Sequence, residues 1–553
     1  MQSFFAKHHK ILFYSSWFLI NLVQASFTGL FDDEAYYWVY AQFPEWGYFD
    51  HPPMIAWLII AGGWFLDGEA GLRLFIVLLN TGTLFIIQQM LTRKNDQLFY
   101  LIAFSLVVAQ IGGIIAVPDL PLLFFIALFF YQYQFFQKNP SIRNTLLLSI
   151  TVALMMYSKY HGVLIVLCTL LSNPKLFARY QTYIVGVLSL LLFSPHLYWQ
   201  YTHDFPSVQY HLFERSAPKY QFSFTTEYIA GQLLLAGPLV GWMLIYGAFK
   251  YKPGSVLERA LKFSLVGIYG FFLLSTFKGR VEANWTIPAF VALIVLSHQY
   301  LLTKPRLQNI LMKTLPISLL LVVAGRAYMM ADMEPLKMIK KDEFHQNEEW
   351  TSEIRDSARG ANVVFLSSYQ KPSKYWFYTG ERSFSMNNPS YRRNNFNYWP
   401  LEDSLFNQPA FVVAGFDTAQ FTIPFQHITV RENGGTRVNN YYSFSKIRFE
   451  DISVNQQQHE ISMSAEVPAS YLPLIQQYPM DTATIYLAIV AENEPVIYHS
   501  TGIKLASVIT EKSQLRFPIP AGIRPGTYPA KMVISTCLPG QTSLNSTGFT
   551  LGF

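Results

Sequence analysis

Apolar residues run through the first 330 positions in blocks separated by short polar breaks, and beyond that point the blocks stop. Each block is about 15 to 22 residues, close to the ~20 that a helix needs to cross a ~30 Å hydrocarbon layer. The blocks lie at 11–27, 71–91, 98–117, 120–137, 145–171, 183–199, 227–249, 263–277, 283–300 and 310–323. The run 145–171 is too long for one ordinary crossing and is interrupted by Ser158-Lys159-Tyr160-His161-Gly162, so it predicts two short helices. The apolar stretch 53–66 is too short to cross and is expected to lie on the membrane or dip into it. The pattern therefore predicts a polytopic α-helical membrane protein with about eleven crossings over residues 1–329.

Past residue 330 the pattern changes to short alternating stretches such as 361–366 and 410–415. Residues 330–440 read as a small α/β domain. Residues 441–553, with alternating runs separated by Pro, Gly and Asn, read as an antiparallel β-sandwich.

Composition agrees with the membrane assignment. Charged residues are 14% of the chain, against roughly 25% in soluble domains. The net charge of +6 does not point to nucleic acid, because the cations sit in short loops where they set topology. Lys7 and Lys10 precede the first block, so the N-terminus is expected in the cytoplasm. Alternation then places the part after residue 330 outside, in the periplasm of a cell with an inner membrane. The two cysteines, Cys168 and Cys537, lie in unlike regions and give no disulfide framework or zinc–cysteine site.

Candidate chemistry gathers in the loop after the first block, Phe31 to Pro53. It holds Asp32, Asp33, Glu34, Glu45 and Asp50 among nine aromatic residues, and no Lys or Arg occurs from Ile11 to Leu72. Asp32 is placed to cap a helix running to about Gln42. On that helix Asp33, Tyr36, Tyr37 and Tyr40 share a face at i, i+3, i+4 and i+7. A carboxylate presented over an aromatic wall suits a general base facing a sugar ring. The same residues also read as helix caps within an interfacial aromatic belt. In Tyr48-Phe49-Asp50-His51-Pro52-Pro53 the prolines hold the chain extended before them. Asp50 and His51 there suit metal ligation, base orientation or a turn. Further polar groups fall at the outer ends of the blocks: Asp119, Lys159, His161, the loop 200–226 with His203, Asp204, His211, Glu214 and Arg215, then Lys278 and Arg280. Each cation is either functional or a snorkelling side chain.

Asp33-Glu34 after the first block, the Tyr48–Pro53 motif and Pro118-Asp119 together resemble the dolichyl-phosphate-mannose protein mannosyltransferase superfamily. The resemblance is strongest to its bacterial branch, which includes the aminoarabinose lipid A transferase. It covers roughly residues 1–330, and Ser368-Tyr369, Tyr375–Tyr378 and Arg392-Arg393-Asn394 look like the outer domain of bacterial members. The resemblance implies a GT-C fold and transfer of a sugar from a polyprenyl phosphate to a hydroxyl of a lipid, glycan or protein. Asp33 would be the catalytic base. Asp50 would match the acid of the second loop motif, where relatives often have Glu-Lys-Pro-Pro, with His51 replacing the Lys. Asp119 would match an outer acid near the donor, and Tyr36 stands where some relatives carry Arg. Glu34, Tyr36, Tyr37, Tyr48 and His51 would then line the substrate site. Phosphate leaves as an anion and needs cations or a metal. Lys159 and Arg280, each in a polar break, are the expected pair, and Asp50 with His211 is the candidate divalent metal site. A flippase for lipid-linked sugars is the alternative, but no internal repeat of the kind such carriers use is visible. A membrane-anchored binding protein working through its C-terminal sandwich is a second rival.

Overall fold

A computed structural model describes residues 2–211, 219–331, 342–414, 423–424, 434–477, 483–490, 496–508, 510–523 and 526–552. The chain forms two compact units, Met1–His345 and Gln346–Phe553.

The first unit is helical. In order it contains α1 (Gln2–Ser26), α2 (Asp32–Gln42), α3 (Met54–Gly63), α4 (Gly68–Met90), α5 (Asp96–Ser105), α6 (Val107–Gln110), α7 (Asp119–Lys138), α8 (Ile142–Ser158), α9 (Gly162–Ser172) and α10 (Tyr180–Thr202). Then follow α11 (Pro206–Gln209), α12 (Phe222–Ala236), α13 (Gly241–Lys250), α14 (Val256–Ser275), α15 (Phe290–Leu301) and α16 (Pro305–Met330). Polar side chains fix several starts: Asn95, Ser141 and Ser255 accept the N–H of the third residue of α5, α8 and α14.

Among the described residues four helices are long and apolar enough to cross a membrane (α4, α7, α10 and α16), or six if two bent pairs each count as one crossing. The expected count of about eleven is not established, for identifiable reasons. The block 98–117 is broken at Leu106 with an 80° bend, and 227–249 is broken after Ala236 with a 95° bend. The two breaks meet: Gly237 has φ +132°, and a Cβ there would stand 2.6 Å from the Ser105 carbonyl oxygen. The block 283–300 is a 3₁₀ turn, Ala283–Ala289, followed by α15, whose residues are almost all buried by protein. The break in 145–171 falls between α8 and α9, at Lys159–His161.

The second unit carries the strands. A five-stranded sheet runs in the order β2 (Ser383–Met386), β1 (Asn362–Leu366), β3 (Ala410–Ala414), β5 (Gly434–Val438), β4 (Ile423–Pro424). Its β1 pairs in parallel with β2 and β3, and α17 (Asn347–Ala358) and α18 (Gln370–Thr379) accompany it. Two antiparallel sheets follow. One is β10 (Lys512–Pro518), β7 (Glu460–Glu466), β6 (Arg448–Asn455). The other is β12 (Thr542–Leu544), β11 (Thr527–Ser535), β8 (Thr484–Ile489), β9 (Ile497–Lys504), with β13 (Phe549–Gly552) on β11. Their inner faces share one apolar core that includes Phe449, Ile461, Met463, Ile485 and Met532. Glu402 is fully buried between the two parts and accepts from Ser445 N (3.0 Å), Ser445 Oγ (2.6 Å) and Tyr471 OH (2.5 Å).

Candidate active site

The acidic loop opens as α2, with Asp32, Asp33 and Glu34 in its first turn, where the helix dipole favours negative charge. Glu34 has no exposed surface. Its Oε2 accepts the Phe31 N–H (2.9 Å) and its Oε1 the Ala116 N–H (2.6 Å). Arg73 of α4, equally buried, donates to both oxygens, from Nε at 2.8 Å and Nη2 at 2.5 Å. Its remaining N–H groups go to the carbonyls of Ala25 (2.8 Å), Thr28 (2.5 Å) and Gly29 (2.9 Å). One fork thus ties the end of α1, the start of α2 and α4 together. Asp33, beside Glu34, is half-buried. Tyr36, Tyr37 and Tyr40 are buried, and their rings pack together at 4.8 to 6.2 Å.

The rest of the loop is knotted by hydrogen bonds. Tyr48 stacks on Tyr40 at 3.9 Å, and its hydroxyl donates to the Tyr40 and Phe43 carbonyls (2.9 and 3.0 Å). A relay crosses from the end of α10. Gln200 donates to the Tyr160 hydroxyl (3.1 Å), Tyr160 donates to His196 Nε2 (2.9 Å), and His196 Nδ1 donates to the Trp46 carbonyl (2.8 Å). Ser207 donates to the Phe49 carbonyl (2.8 Å), and Trp199 Nε1 to Glu45 (2.5 Å). Gly47 is pressed so closely to Trp199 that a Cβ would fall 2.5 Å from its ring.

Asp119 and Lys159 come together. Lys159 Nζ lies 2.8 and 3.0 Å from the two carboxylate oxygens, and Asn284 donates to Oδ2 at 3.0 Å. Both charges are more than nine-tenths buried. Lys159→Met should therefore strand a buried carboxylate and cost about 3–5 kcal/mol. In Asp119→Leu/Lys159→Met most of that loss is expected to return. Thermal unfolding in detergent measures both. A double variant that regains stability without regaining activity would separate the structural role of the pair from its chemical one.

The other expected residues are placed differently. Arg280 is 65% exposed and lies between Glu227 (3.4 Å) and Glu282 (3.9 Å). Asp50 is buried, and His211 Nε2 donates to its carbonyl oxygen (3.1 Å). Among the described residues no group of three or more His, Cys, Asp and Glu is placed to hold a metal ion. His51 lies near Tyr37 (5.7 Å) and His211 (6.4 Å) by ring centroid. His161 packs on Phe272 and Trp285, and His203 stacks on Trp199 at 4.2 Å. Glu214 and Arg215 lie outside the described residues.

Sequence reasoning passed over Arg73, Asn284, His196 and Ser207. Arg73 carried a signal: it is the first cation after Lys10 and sits inside an apolar block, where a charge calls for a buried partner.

The helical unit with its acidic loop, followed by strand-rich sheets, defines the class: the fold is that of GT-C membrane glycosyltransferases. The chain is similar to crystal structures of ArnT from Cupriavidus metallidurans. The form bound to undecaprenyl phosphate matches with TM-score 0.54 and 13% identity, over 74% of this chain and 93% of that one. The apo form matches with TM-score 0.55 and 12% identity, over 76% and 96%. The family described as dolichyl-phosphate-mannose-protein mannosyltransferase matches residues 50–199. The lipid A galacturonosyltransferase RgtD of Rhizobium johnstonii is 23% identical over 284 residues, 49% of this chain and 60% of that relative's length. The likeness to ArnT shows the fold.

Proposed function

We propose that this chain moves a sugar from a polyprenyl-phosphate donor to an acceptor hydroxyl on the extracytoplasmic face, in a single displacement that inverts the anomeric centre. The observation that carries the reading is Asp33: a half-buried carboxylate on a helix whose first turn is pinned by the buried Glu34–Arg73 fork. The ArnT structure with undecaprenyl phosphate and the lipid A galacturonosyltransferase relative support the donor class and a lipid acceptor.

The acceptor hydroxyl attacks the anomeric carbon, the glycosidic C–O bond breaks, and polyprenyl phosphate leaves. Asp33 takes the hydroxyl proton. Lys159 has three N–H groups. Two are accounted for by Asp119, which leaves one for a phosphate oxygen of the leaving group. Asp119 holds that ammonium in place, and Asp50 orients the loop beside the acceptor. Tyr36, Tyr37, Tyr48 and His51 shape its wall. Arg280, exposed and beside Glu227 and Glu282, is the second cation for that phosphate in this reading. The N-terminus is cytoplasmic and residues after 345 are periplasmic in this reading.

The test is transfer from a panel of radiolabelled polyprenyl-phosphate sugars, including uronic acids and aminopentoses, into membrane extract. Label in the lipid, glycan or protein fraction supports the reading and names the acceptor. Folded protein that transfers from no donor while moving labelled lipid across vesicles would replace it with the flippase.

A further inference from the structure

The first turn of α2 is held from a second direction, by residues 311 positions further along the chain. Asp342–His345 forms a tight turn after α16. Asp342 Oδ1 accepts the N–H groups of Phe344 (2.9 Å) and His345 (3.3 Å), and Oδ2 accepts from His345 Nδ1 at 2.6 Å. The His345 ring is buried and stands edge-on to Tyr328 of α16, 5.1 Å between centroids. With its ends fixed, the turn presents its two middle residues to α2. Glu343 Oε2 accepts the Asp32 N–H (3.2 Å), and the Phe344 ring lies 6.1 Å from that of Phe31. Phe344 also packs on a small cluster of Ala25, Val77, Ile114 and Met329.

A helix leaves its first N–H groups without partners inside the helix. In α2 the N–H of Phe31, just ahead of the helix, goes to Glu34 within the same turn, whereas that of Asp32 goes to Glu343. The two residues that lead into Asp33, Phe31 and Asp32, are thus each tied to a different carboxylate, one local and one distant. Displacing a reacting group by about 1 Å costs on the order of a hundredfold in rate, so what fixes this backbone fixes the chemistry.

We propose that Asp342–His345 is a positioning strap for the catalytic base, with Glu343 the positioning residue that holds the backbone of Asp32 and so the carboxylate of Asp33. The proposal rests on the reading of Asp33 as base. It also gives the segment that leads into the second unit, which begins at Gln346, a part in the transfer step through the backbone of Asp32.

The experiment compares Glu343→Ala, Glu343→Gln and Asp33→Asn in the full chain. Glu343→Ala should lower kcat about tenfold with the donor KM within about twofold. Glu343→Gln keeps an amide oxygen for the Asp32 N–H and should recover to within about threefold of wild type. Hydrogen exchange of the Asp32–Glu34 amides should speed up in the Ala variant and return to the wild-type rate in the Gln variant. Exchange reads the strap without any transfer. Unchanged exchange and kcat in Glu343→Ala would overturn the proposal, as would a Gln variant as impaired as Ala. If Asp33→Asn stays active while exchange at α2 responds to Glu343, the base assignment has failed and the strap has not.

Discussion

Asp33→Asn is expected to reduce transfer by about 10²- to 10⁴-fold, the range a positioned general base contributes, in protein that folds normally. The substitution keeps shape and removes the negative charge together with the ability to take a proton. Asp33 is half-buried, and losing one charge at a helix start costs about 0.3–1 kcal/mol. Stability should therefore barely move while the rate at saturating donor collapses. Asp33→Glu supplies the control: the carboxylate survives but stands one methylene further out, so the loss should be partial. The measurement is initial transfer rate with melting temperature in the same detergent. A folded Asn variant within tenfold of wild type would remove Asp33 from the chemistry.

The position of that carboxylate was readable in the sequence because it depends on local rules. Three acids opening a helix, followed by tyrosines at helical spacing, need no tertiary information. The same holds for the break between α8 and α9, and for the strand runs that became β1, β3, β7 and β8. What stayed hidden is pairing. Lys159 looks like a free cation in a polar break until Asp119, 40 residues away, is found against it. Arg280 looks the same until Glu227 and Glu282 appear beside it. The Asp32 N–H finds Glu343 only once α16 has brought the chain back. Hydropathy fails in a related way. It counts apolar residues without knowing what covers them, so it does not foresee that protein surrounds α15.

Arg73→Met is expected to be the most destabilising single change in the membrane unit, at about 3–5 kcal/mol, because it strands the Glu34 carboxylate in a buried site. It also leaves the carbonyls of Ala25, Thr28 and Gly29 without their donor, and each unsatisfied group adds to the loss. The apparent melting temperature should fall by about 4–7 °C. Added salt should change little, since ions do not screen an enclosed pair as they do a surface one. Glu34→Gln keeps one acceptor oxygen but leaves Arg73 buried without its anion, so it too should destabilise. In the double variant the two losses should fall short of their sum, by a coupling of about 0.5–3 kcal/mol. The cycle also decides between two roles for Glu34. A residue that binds substrate would raise KM when changed and leave the melting temperature alone. A residue that holds the start of α2 would lower the melting temperature, be coupled to Arg73, and reduce kcat through Asp33. The geometry, with all of Glu34 enclosed and both oxygens taken, makes the second outcome the expected one.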